Sequence, residues 1–82
     1  MTDMVVHGCV VTEAVQQALV NKMKEGPFKA GLLEAEACRL GVPASTGRRE
    51  PVAMRLVDRL IQRERKAGRI AFSAGQWTWC GS

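Results

Sequence analysis

Apolar residues recur at helical spacing in three stretches of the chain and at strand spacing in one. From Thr12 onward, Val15, Leu19 and Met23 return every fourth residue, with Ala14 and Ala18 beside them. This is the stripe of an amphipathic helix. Thr12 suits the N-cap and Glu13 the first turn, and Gly26-Pro27 stops the pattern. Phe28 follows alone in an extended linker, placed to pin a brief strand. A second helix is expected over about residues 31–40, with Leu33, Ala37 and Leu40 on one face and Gly41 as its stop. Val42-Pro43 then turns the chain away, "ASTGRREP" reads as a loop, and Pro51 fits a first helical turn.

The third helix, at about 51–66, is the most regular. With about 100° per residue and Val57 at zero, Ala53, Met54, Val57, Leu60 and Ile61 fall within about 60° of one direction. Arg55, Arg59, Gln62 and Lys66 fall within about 40° of the opposite direction, with Arg63 just outside. Glu64 lies among the apolar positions. A charge there is costly to bury alone, so it is expected to pair with a base or to sit at the margin of the core. After Gly68, "GRIAFSAGQWTWC" reads as a hairpin around Ala74-Gly75, pairing Ser73 with Gln76, Phe72 with Trp77 and Ile70 with Trp79. Both strands then alternate in step and present Ile70, Phe72, Trp77 and Trp79 on one face, expected to cover the helices. Residues 1–11 hold two valine pairs around His7-Gly8, readable as a frayed tail or a short strand preceding a domain over 12–80.

Helix, extended piece, helix, turn, basic helix and hairpin, in that order, resemble a winged helix-turn-helix domain. "GPFKAGLLEAEACRLGVP" looks like its first strand and second helix, "VDRLIQRERKAGRI" like a recognition helix entering the wing, and "GQWTW" like the last wing strand. The resemblance spans about residues 12–80 and implies an α+β fold: three helices with a C-terminal two-stranded β-hairpin wing. It implies that the third helix enters the major groove of double-stranded DNA. Arg55, Arg59, Gln62, Arg63 and Lys66 would then face the bases, where arginine suits guanine and glutamine suits adenine. Arg48, Arg49 and Arg69 would meet phosphates. Three features depart from the pattern. The loop from Gly41 to about Glu50 is long, the wing tip "SAGQ" carries no charge, and Glu64 replaces an apolar residue.

Composition narrows the functional classes. Eighty-two residues make one small domain with a thin core. The first residues lack the basic start and long apolar centre of a signal peptide, and no stretch approaches membrane-spanning length, so neither export nor membrane insertion is expected. Cys9, Cys38 and Cys80 form no CxxC and no zinc-like spacing with the single histidine, so no metal or other cofactor is expected and the thiols fit a cytoplasmic setting. Charge is asymmetric: residues 1–47 carry four bases against five acids (−1), and residues 48–82 carry eight against three (+5). A basic half favours a polyanionic partner. The expected function is a DNA-binding regulator of small bacterial or phage type, with room for a homodimer on paired half-sites. The alternative is a winged-helix module that binds an acidic protein partner. An enzyme is not expected, since there is no phosphate-binding glycine loop and Ser45-Thr46 has no base beside it.

Overall fold

Two X-Gly turns bracket the molecule, whose computed structural model describes residues 3–80. Positive φ at both His7 (48°) and Gly8 (82°) folds a first strand, β1 (Met4–Val6), back on β2 (Cys9–Val11). Positive φ at Ala74 (53°) and Gly75 (79°) does the same for the last two strands. Both turns have the type I′ signature, whose twist matches that of paired strands. The N-terminal segment is therefore an ordered hairpin. Its inner residues Val6 and Val11 are buried in the core, while Val5 and Val10, paired opposite each other, face outward.

Thr12 caps α1 (Glu13–Lys24), its Oγ1 accepting from the Val15 N–H at 3.4 Å. Asp3 supports the same helix start by accepting from the Glu13 N–H at 3.0 Å. Leu19 and Met23 are fully buried and Val15 partly so, as the spacing predicts. Next, α2 (Ala30–Arg39) buries Leu33 and Ala37 and closes at Gly41, whose φ of 98° favours glycine. The expected long loop is present but pinched at its base. The Val52 N–H bonds the Ala44 carbonyl at 3.0 Å, and Ser45 bridges Pro51. Thr46 Oγ1 accepts from the backbone N–H groups of Arg48 and Glu50, each at 3.2 Å. The extra residues thus bulge outward, leaving α2 and α3 (Val52–Lys66) in contact.

At the C-terminus, β3 (Ile70–Ser73) pairs with β4 (Gln76–Trp79) in the register expected from the sequence. Phe28 joins as a one-residue third strand. It exchanges two backbone hydrogen bonds with Trp77, each 2.8 Å, and its ring is buried. The architecture is α+β: three helices around one core, with a C-terminal antiparallel hairpin. Both tryptophans pack against the core but remain half-buried, and Phe72 is 60% exposed. The hairpin thus reaches past the helices it was expected to cover.

The third helix is rolled relative to the sequence expectation. Met54, placed on the core face, is 51% exposed, whereas Val52 and Leu56 are fully buried. On the same wheel the buried residues run from Val52 through Leu56 to Ile61, an arc centred about 50° away from Val57. The cause is β1, which packs along this flank of α3 and adds apolar contact there. Two substitutions separate the alternatives. Leu56→Ala is expected to cost about 2–5 kcal/mol, while Met54→Ala should stay within about 0.5 kcal/mol of the parent. Urea unfolding measures both, and equal losses would refute the roll.

Candidate nucleic-acid interface

The outward face of α3 carries Met54, Arg55, Asp58, Arg59, Gln62, Arg65 and Lys66, all exposed. Four cations against one carboxylate leave it at +3. Asp58 lies near the middle of this face and makes a loose pair with Arg55 at 3.8 Å. Such solvent-exposed pairs hold little energy, so Arg55 can exchange Asp58 for another anion. Gln62 and Lys66 are likewise exposed, and Arg48 and Arg49 lie exposed in the loop that leads into α3. Arg49 adopts a left-handed φ of 62°, which the bonds to Thr46 hold in place.

Besides the loose Arg55–Asp58 pair, three of the eight residues singled out in the sequence hold side-chain hydrogen bonds within the molecule. Arg59 Nη1 donates to the Val5 carbonyl at 2.8 Å and ties α3 to β1. Arg63 is half-buried; its Nη1 donates to Gln16 Oε1 at 3.1 Å and its Nε to Glu64 at 3.4 Å. Arg69 Nη1 donates to both Glu64 oxygens, at 2.8 and 2.7 Å. Glu64 itself is 2% exposed, and it finds the basic partners that its place on the apolar face requires. Arg63 therefore belongs to the interior more than to the outer face, the consequence of the same roll that buries Leu56. Arg69 keeps part of its guanidinium in solvent, and Arg59 remains exposed at the edge.

The roll also exposes what the wheel did not select. Arg65 flanks the exposed face, displaced by about 80° from Val57. A wheel centred on Val52 to Ile61 would have included it. The tip of the N-terminal hairpin approaches the loop before α3, where His7 Nδ1 lies 3.0 Å from Glu50 Oε2. Away from this face, on α2, the Arg39 guanidinium hydrogen-bonds Glu36 and holds its carboxyl below the usual carboxylate range. Among the described residues no cluster of His, Cys, Asp or Glu is arranged to hold a metal ion, and no helix is long and apolar enough to cross a membrane. The chain matches no protein-family model, no curated protein and no solved structure.

The Glu64 cluster makes a stability prediction. Arg69→Ala leaves a buried carboxylate with Arg63 alone and is expected to cost about 2–3 kcal/mol, below the usual range for a fully buried pair because Arg69 is half in water. Adding Glu64→Leu should recover most of that loss, since the remaining arginine can turn to solvent. A double variant as unstable as Arg69→Ala would mean that the carboxylate is not what the arginine neutralises.

Proposed function

We propose that this chain is a winged-helix protein that binds double-stranded DNA through α3, in the manner of a small transcriptional or phage-type regulator. The observation that carries the reading is the outward face of α3, +3 in charge, on a helix whose other side is anchored in the core. The element order supports it too. Phe28 pairs with β4 as a first strand beside the wing, and α2 and α3 adjoin despite the long loop between them. In this reading Arg55 and Gln62 reach base edges, with Arg59 beside them. Lys66, Arg65, Arg48 and Arg49 meet phosphates, and Arg69 contributes at the wing's base as far as its bond to Glu64 allows.

The engagement of Arg59, Arg63 and Arg69 favours a second reading, in which the fold serves as a protein-interaction module. Fewer free guanidiniums then face an acidic protein partner instead of a polyphosphate. Fold alone does not choose between the two.

Salt dependence discriminates. With roughly four to six phosphate contacts per protomer, the slope of log affinity against log salt should be about −3.6 to −5.4. Arg55→Ala with Lys66→Ala removes exposed side chains only, so the fold should survive. Lys66 is the phosphate contact of the two, so the slope should flatten by about 0.9, while the loss of Arg55 lowers affinity for sites that offer it a guanine. Gln62→Ala should instead change preference among sequences. Fluorescence anisotropy on labelled duplexes gives all three readouts. Unaltered binding by the double variant would remove α3 as the contact surface. No duplex binding by the parent at about 50 mM salt, where such contacts are strong, would favour the acidic protein partner.

A further inference from the structure

A cleft opens between the last turns of α3 and the β3–β4 hairpin, lined by Arg65, Ile70, Ala71, Phe72 and Trp77. Its volume is about 570 Å³, in the range of small-ligand sites. Phe72 and Trp77 oppose each other across the hairpin, their ring centroids 5.1 Å apart and their planes inclined by 53°. Trp77 is partly covered by the core, but Phe72 is 60% exposed. We infer that this cleft is a stacking site for an unpaired nucleobase, so that the favoured partner is a duplex adjoined by a single-stranded segment. The inference rests on the reading of α3 as the DNA-contacting helix and adds a second contact to it.

Cross-strand contact explains why the two rings are close. It does not explain why Phe72 lies open to solvent. The neighbouring tip residues Ser73 and Gln76 show that polar side chains serve the turn equally well. An exposed aromatic ring beside an arginine is the combination that holds single-stranded nucleic acid: the ring accepts the face of any base, and the cation meets the backbone. Charge complementarity selects this occupant over a neutral aromatic one. Arg65 lines the cleft and Lys66 follows it, while Glu64, the nearest acid in sequence, is buried and taken up by Arg69 and Arg63. No acidic residue lines the cleft among the described residues. A base within a duplex presents only its edges, so an unpaired base is required to offer a face.

Three fluorescein-labelled probes test the inference by anisotropy: a blunt duplex, the same duplex extended by a short oligothymidine tail, and the oligothymidine alone. The parent should bind the tailed duplex about tenfold more tightly than the blunt one, within the effect of stacking one base. Phe72→Leu keeps apolar area at the hairpin tip but removes the ring. It should abolish that preference while leaving blunt-duplex affinity and thermal melting unchanged, and Phe72→Tyr should restore it. In a Trp79→Phe background, Trp77 is the sole tryptophan, and its emission should be quenched by the tailed probe. Equal affinity of the parent for tailed and blunt duplexes would overturn the stacking site and leave the α3 reading standing. So would a tail preference that survives Phe72→Leu. Binding of the tail with no binding of blunt duplex would uphold the cleft and overturn the α3 reading. Failure to bind any of the three would overturn both.

Discussion

A carboxylate withdrawn from water must be matched by cations and donors, or the fold that buries it loses several kcal/mol, on the order of 3–5 when one partner is missing. Glu64 is withdrawn almost completely, and the way it is matched organises the rest of the molecule. Arg69 grips both oxygens from just before β3, and Arg63 reaches it from the preceding position. Arg63 also bonds Gln16 on α1, which is itself fully buried and donates to the Val11 carbonyl at 3.1 Å. The chain of contacts runs from β2 through α1 and α3 to the C-terminal hairpin. Backbone bonds extend it, from the Arg69 N–H to the Glu64 carbonyl and from the Cys80 N–H to the Arg69 carbonyl. An apolar core tolerates small rotations of a helix. A connected polar network admits few arrangements, so it holds α3 in the roll that packing against β1 sets.

That roll determines which charges face outward. Turned toward Leu56, the helix draws Arg63 inward and brings Arg59 against the β1 backbone, while Arg65 and Met54 come into the open. The basic face is therefore narrower on one side and wider on the other than helical spacing alone indicates. It approaches the C-terminal hairpin, so the cationic face of α3 and the aromatic tip of that hairpin share a border at Arg65.

The elements that were legible in the sequence are those whose causes are local. Helix periodicity, Thr12 as a cap, Gly41 as a stop and the Ala74-Gly75 turn each act over a few residues, and the structure follows them closely. The pairing of Glu64 with a base was also legible, because the cost of an unpaired buried charge does not depend on the details of the fold. The N-terminal hairpin was not. Its strands have three residues each, too few for alternation to declare itself, and His-Gly is a weaker turn signal than Asn-Gly. Its packing against α3 is a contact across some fifty positions of sequence, and that contact sets the roll. The misplacement of Met54 and the omission of Arg65 share this single cause. Phe72 was assigned to the correct face of its strand, but face alone does not reveal where the helices underneath end.

Phe28 and Trp77 meet through a pair of backbone hydrogen bonds, although they are far apart in the chain. In mechanical terms this is a strap. Without it, the backbone of β4 would be hydrogen-bonded on one edge only, to β3, and a sideways load at the tip would meet only side-chain packing on the other. With it, β4 is gripped on both edges, and a force applied near Phe72 passes into the corner between α1 and α2, where the buried ring of Phe28 resists it. The C-terminal hairpin is thereby stiffened at the strand that carries both tryptophans, so displacement of its tip tends to move the helical body with it.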